Sequence, residues 1–176
     1  MKKIVCVCLL VGLLGGCAKS GGVSSQAEPD ISVETILDKV RAAYGEEYLP
    51  DMKIPPELLE SEFGLSADLY TQAVGEMPMM STFPDRVVIV RAAEGKADDV
   101  ESALQSAREA KISSELQYPV NIPKTNAAKV VRHGGYVAFF LVGAPLSDFN
   151  VTEEDVAEYM EEEVQKAVAA FDSFFE

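Results

Sequence analysis

Asp85-Arg86-Val87-Val88-Ile89-Val90-Arg91 decides how this chain folds. The run from Val87 to Val90 is β-branched and apolar at consecutive positions, so both of its faces are dry. Such a strand belongs in the middle of a sheet, with a cover on each side. A second run of the same kind is Tyr136-Val137-Ala138-Phe139-Phe140-Leu141-Val142. It follows His133-Gly134-Gly135, where glycine supplies the positive φ that a tight hairpin needs, and residues 127–132 form the other arm. Two strands that are apolar on both faces require helices on both sides.

The rest of the chain supplies those helices. Over residues 31–44, Val33, Ile36, Leu37, Val40 and Tyr44 share one face, Ser32 is placed as N-cap, and Ile31 with Ile36 forms a staple. Residues 55–64 begin with proline and end at Gly64, a short helix with its expected punctuation. Over residues 97–114, Val100, Ala103, Leu104 and Ala107 point inward, and Asp98, Asp99 and Glu101 suit the positive end of the helix dipole. The longest helix spans 152–174. Thr152 caps it with Asp155 returning the bond, Val151 and Val156 staple it, and Val156, Met160, Val164, Ala167, Val168 and Phe171 form its core stripe.

Residues 68–75 fit a helical face or a strand through Leu69, Tyr70, Ala73 and Val74, and strand is preferred. Residues 118–123, with Pro119 and Pro123, read as extended loop. The expectation is an α+β fold: an antiparallel three- to four-stranded sheet packed with about four helices, a single layered domain over residues 31–176. No apolar face is left over for a partner.

The N-terminus carries an address. Met1-Lys2-Lys3 is followed by an apolar run from Ile4 to Leu14 and then by Gly15-Gly16-Cys17. The run is about half of the roughly 20 residues that a membrane-spanning helix needs. A positive start, a short apolar stretch and small residues before a cysteine resemble the signal of a bacterial lipoprotein. Residues 1–16 then form a signal peptide, and Cys17 takes the diacylglycerol and palmitate chains. Residues 17–30, rich in Gly, Ser and Gln, form a flexible tether with a reach of roughly 20 Å. The expected location is the extracytoplasmic face of the cell membrane, held there by lipid.

Composition excludes several classes of chemistry. The cysteines are Cys6, Cys8 and Cys17, so a domain cut before Cys17 and lipidated there has no free thiol. Disulfides, cysteine catalysis and Cys-ligated metal are thereby excluded. The chain has Lys+Arg 15 against Asp+Glu 29, a net charge of −14, and removing Lys2 and Lys3 takes this to −16. A polyanion gains nothing from counterion release at phosphates, so nucleic acid is excluded as a partner.

No catalytic signature appears. His133 is the only histidine and falls at the hairpin turn, where a polar residue is ordinary. Asp148-Phe149-Asn150-Val151-Thr152 begins like a calcium loop and fails, because Glu153 replaces the turn glycine and Tyr159 the bidentate glutamate. Asp98 and Asp99 are adjacent carboxylates of the kind a hydrolase uses, in a chain where adjacency by chance is expected. Met77-Pro78-Met79-Met80 is apolar and broken by proline. Methionines fill core gaps, the preferred reading, and they also line adaptable binding surfaces. On the second reading Met77, Pro78, Met79, Met80 and Phe83 are the contact region. No metal and no cofactor are assigned.

The order of short motifs carries one resemblance. A helix ends near Tyr44, followed by Phe63-Gly64-Leu65, Met77-Pro78-Met79-Met80-Ser81, residues 85–91, Gly95-Lys96-Ala97-Asp98-Asp99-Val100, Tyr118-Pro119 and Gly135-Tyr136-Val137. This order resembles the domain-of-unknown-function 4358 family, small lipoproteins of mainly Gram-positive bacteria, over about residues 33–142. The resemblance implies an exported, anchored protein and carries over no catalytic residue.

The leading functional expectation is a membrane-anchored, non-catalytic binding or accessory module that meets the membrane through its lipid and contacts a cell-envelope protein. The alternative is a carboxylate-dependent envelope hydrolase, which requires a cleft with converging acids and one raised pKa. A third reading is a structural lipoprotein that only presents a domain and has no concave site.

Overall fold

The computed structural model describes residues 29–145 and 152–176. The signal, Cys17, most of the tether, the start of the failed calcium loop and the Val151 half of the helix staple lie outside the described residues.

Helix α1 covers Val33–Tyr44, and the Ser32 hydroxyl accepts from Thr35 N at its start, as the sequence pattern predicts. A short strand β1, Met52–Lys53, precedes helix α2, Pro56–Phe63. Strands β2, Tyr70–Met77, and β3, Arg86–Ala92, are followed by helix α3, Ala97–Ile112. A 3₁₀ turn, Pro119–Asn121, runs into the short helix α4, Ile122–Asn126. The hairpin of β4, Lys129–His133, and β5, Tyr136–Leu141, follows. Helix α5, Glu153–Asp172, closes the chain with a complete capping box between Thr152 and Asp155.

The strands form one antiparallel sheet in the order β1-β2-β3-β5-β4. The two doubly apolar strands, β3 and β5, are neighbours at its centre, with Ile89 opposite Ala138. Alternation sends their side chains to two cores. Val87, Ile89, Tyr136, Ala138 and Phe140 meet α1 and α5 on one face. Val88, Val90, Val137, Phe139 and Leu141 meet α2 and α3 on the other. The fold is the α+β arrangement that the double dryness of residues 87–90 requires.

The preferred strand reading of residues 68–75 holds, with β2 beginning at Tyr70 and continuing to Met77. Three local features differ from the sequence expectation. The sheet gains the two-residue β1, which pairs Met52 with Met77 at the edge. Residues 118–123 are not one extended loop. Tyr118 is extended as a residue before proline should be, but Pro119 and Pro123 each sit in a first helical turn, where a missing N–H is harmless. In the hairpin, Gly134 has φ 56°, the value its turn requires, and His133 is the last residue of β4 rather than part of the turn.

Candidate functional site

β2 stops where Pro78, having no N–H, cannot continue a ladder. Pro78 is buried, and the chain then turns outward, with Met79 N donating to Asp51 Oδ1 at 2.7 Å and Phe83 N to Met80 O at 3.2 Å. Met79 is 75% exposed and Met80 60%. A second loop leaves the C-terminus of α3 and reaches the same end of the sheet. Asn121 Nδ2 donates to Thr82 O at 2.8 Å and stitches the two loops together. Leu116 is 95% exposed and Val120 82%, with Tyr118 and Ile122 also outward. Met52, paired with Met77, completes the set. Among the described residues, every exposed large apolar side chain belongs to this end of the molecule. The expectation that no apolar face would remain is therefore corrected. Helices cover the sheet's faces, and the surplus apolar surface lies in loops beyond its end.

A buried ion pair underlies this rim. Asp85, fully buried, ends the first loop, and Lys124 of α4 ends the second. Lys124 Nζ donates to Asp85 Oδ1 at 3.1 Å, to Oδ2 at 3.2 Å and to Gly143 O at 2.9 Å. Burial raises the Asp85 carboxyl above the ordinary aspartate value, and the ammonium of Lys124 opposes that rise. The grooves beside the rim are shallow. One of about 500 Å³ is lined by Leu49, Asp51, Met79, Met80 and Phe83. One of about 540 Å³ lies between α4 and α5, against Pro119, Ile122 and Ala157.

The predicted contact residues divide. Met77 packs into the core beside α2 and α3, and Pro78 is buried, so the gap-filling reading holds for that half. Met79 and Met80 are outside, and Phe83 is half-buried between. The exposed segment 116–122 was not anticipated. Its signal was available in the apolar residues Leu116, Tyr118, Val120 and Ile122 alternating with polar or proline positions.

The adjacent carboxylates do not converge. Asp98 accepts from Arg132 Nη1 at 2.5 Å, while Asp99 accepts from Lys96 Nζ at 3.0 Å. Asp85, whose pKa is raised, is sealed against a lysine rather than set beside a second acid in a cleft. His133 has a carboxylate neighbour, with Nε2 2.9 Å from Asp172 Oδ1, and its ring stacks on Phe175 at 4.7 Å. These contacts tie the hairpin to the end of α5, and no nucleophile stands near them among the contacts of that histidine. A further, part-buried cluster that the sequence did not disclose joins Arg41, Tyr48 and Glu76, with Arg41 and the Tyr48 hydroxyl both bonded to the Glu76 carboxylate. Among the described residues no group of three or more His, Cys, Asp or Glu side chains could hold a metal ion. No helix among them is long and apolar enough to cross a membrane.

The start of the described chain lies at the other end of the sheet. The Tyr136 hydroxyl accepts from Ile31 N at 3.0 Å and donates within reach of Ile31 O and Pro29 O, at 2.7 and 3.2 Å. Arg91 Nη1 bonds Asp30 at 2.5 Å. Arg91 and Tyr136 face each other at the far end of β3 and β5, whereas Arg86 and Leu141 face each other at the apolar rim. A strand of this length separates the two ends by about 20 Å.

Residues 33–142, more than half of the chain, match the family described as Domain of unknown function (DUF4358). The match stops before α5, although α5 covers one face of the sheet. No curated protein and no solved structure matches the chain.

Proposed function

The chain belongs to the DUF4358 family, and we propose that it is a lipid-anchored extracytoplasmic lipoprotein that works as a non-catalytic binding or accessory module of the bacterial cell envelope. In this reading residues 1–16 are removed, Cys17 carries the lipid, and the rim formed by residues 78–83 and 116–122 meets a protein of the envelope. One observation carries the contact surface. The exposed large apolar side chains gather at the end of the sheet opposite the one where the chain emerges from its N-terminal segment. An exposed apolar cluster of this kind marks an interaction site in a folded domain. Its position favours a partner beyond the membrane over the membrane itself.

The anchor and the surface are tested separately. Membrane fractionation with palmitate labelling compares the native chain with Cys17→Ala. Retained label in the variant would remove Cys17 from the reading. Photo-crosslinking from position 79 or 116 of the full chain in intact envelopes tests the rim. Crosslinks to lipid alone, or protein adducts that persist from position 79 in Leu116→Asp and from position 116 in Met79→Asp, would overturn the assignment of that surface.

A further inference from the structure

The oxidisable sulfur of this domain is concentrated at the rim. The chain has no tryptophan, and its cysteines, Cys6, Cys8 and Cys17, all lie ahead of the described residues. Among the described residues methionine is therefore the side chain that a peroxide oxidises most readily. The fold sorts these methionines. Met160 is 7% exposed in the core, and Met77 packs beside α2 and α3. Met52 is 37% exposed, while Met79 and Met80 stand mostly in solvent. Leu116, Val120 and Ile122, on the second loop of the rim, are hydrocarbon side chains and inert to peroxide.

The second observation is that the backbone under the two exposed sulfurs is pinned. Met79 N donates to Asp51 Oδ1 at 2.7 Å, and Phe83 N donates to Met80 O at 3.2 Å. Asn121 Nδ2 holds Thr82 O at 2.8 Å, and Lys124 holds Asp85 at the end of the same loop. All of these bonds run through groups other than the methionine side chains. A change at sulfur therefore alters what the rim presents and leaves the path of the loop alone.

We propose that Met79 and Met80 form a reversible oxidation site, through which a peroxide releases the rim from its protein partner. The thioether sulfur attacks one oxygen of hydrogen peroxide, and the O–O bond breaks. Sulfur loses two electrons and keeps that oxygen as a sulfoxide. The other oxygen takes the electron pair and leaves with both protons as water. A sulfoxide is polar and accepts hydrogen bonds, so pressing it against an apolar partner strands a buried acceptor. Methionine sulfoxide reductase reverses the step with a dithiol. The sulfoxide oxygen leaves as water, and the dithiol becomes a disulfide. This inference rests on the rim being a protein contact surface, and it adds how that contact is regulated.

The test uses the full chain in detergent micelles, with a photo-crosslinking residue at position 116. Hydrogen peroxide is added, catalase removes the excess, and peptide mass mapping follows each methionine over time. Met79 and Met80 should convert first, Met52 next, and Met77 and Met160 last. The oxidised chain should keep the unfolding midpoint of the untreated one. Mixed with envelope membranes, it should give at least about tenfold fewer protein adducts. Methionine sulfoxide reductases of both stereospecificities, with dithiothreitol, should restore them. Met79→Leu/Met80→Leu, compared only with itself, should give the same yield before and after peroxide. If that variant gives too few adducts to read, recovery of the native chain decides. Four results would overturn the inference: Met160 converting as fast as Met79, a lowered unfolding midpoint, adducts that survive full conversion of both rim sulfurs, or a loss that the reductases do not reverse. An untreated chain without protein adducts would sink the proposed function and this inference with it. Adducts indifferent to oxidation would sink this inference alone.

Discussion

Lys124 and Asp85 are 39 residues apart and form a bidentate contact, 3.1 and 3.2 Å, in the interior just below the apolar rim. Each closes one of the two exposed loops, so a single ion pair fixes the relative position of both. Lys124 also holds Gly143 O at 2.9 Å, which brings the end of β5 into the same cluster. The arrangement gives a rigid base to loops whose outer side chains are unsupported.

Lys124→Met should destabilise the fold by about 3–5 kcal/mol, because it leaves a buried carboxylate without its counter-ion. The double variant Lys124→Met/Asp85→Leu should recover much of that loss in chemical denaturation. The pH dependence has a definite sign. Asp85 already has a folded pKa above its unfolded value, and removing Lys124 raises it further. A raised folded pKa contributes stability below the unfolded pKa and loses it as pH rises through the folded one. Lys124→Met should therefore differ least from the native chain in acid and most near neutrality.

Gly143→Ala should cost about 1–3 kcal/mol through overpacking. An added Cβ would sit 2.9 Å from Glu163 Cβ. The Glu163 Cβ is fixed by the backbone of α5, so rotating the Glu163 side chain, itself buried and bonded from Ala144 N at 2.8 Å, does not relieve the contact. Thermal unfolding measures the loss. An unchanged midpoint would mean that β5 and α5 are less closely packed than described.

Thr152→Ala should lower stability by about 1 kcal/mol, since the hydroxyl caps Asp155 N at 3.2 Å and donates to Asp155 Oδ2 at 2.7 Å. Those donors hold the Asp155 carboxyl below the ordinary aspartate value. A depressed folded pKa contributes stability above the unfolded pKa and loses it as pH falls through the folded one. Carboxyl NMR should find Asp155 titrating below the usual midpoint in the native chain and closer to it in Thr152→Ala, where only the bond from Thr152 N remains.

Met79→Asp and Leu116→Asp should each leave unfolding within about 0.5 kcal/mol of the native chain, as substitutions on an exposed surface do. The same changes should abolish crosslinking to an envelope protein. A large loss of stability from either would show that the side chain is packed rather than presented.

The fold was legible where a pattern is local. Consecutive apolar residues at 87–90 and 136–142 specify central strands, and Ser32 and Thr152 announce helix starts within one turn. The rim was only half legible. Met79 and Met80 drew attention through composition, but whether they pointed in or out depended on Pro78 ending β2, a matter of tertiary path. Leu116 to Ile122 read as loop, and their alternation of apolar with polar or proline positions does not by itself say whether the apolar set is covered. Long-range pairs were invisible. Nothing near Asp85 names Lys124, and nothing near Glu76 names Arg41, since neighbours in space need not be neighbours in the chain.

If the chain is held at the Tyr136 end and gripped at the Met79 end, as proposed, the sheet has a mechanical role. Tension applied between those ends runs lengthwise through β3 and β5, across ladders whose hydrogen bonds lie perpendicular to the pull. Such bonds are loaded together in shear, and no single one can be peeled ahead of the rest. Under the proposed anchoring, the described domain would act as a stiff strut under load.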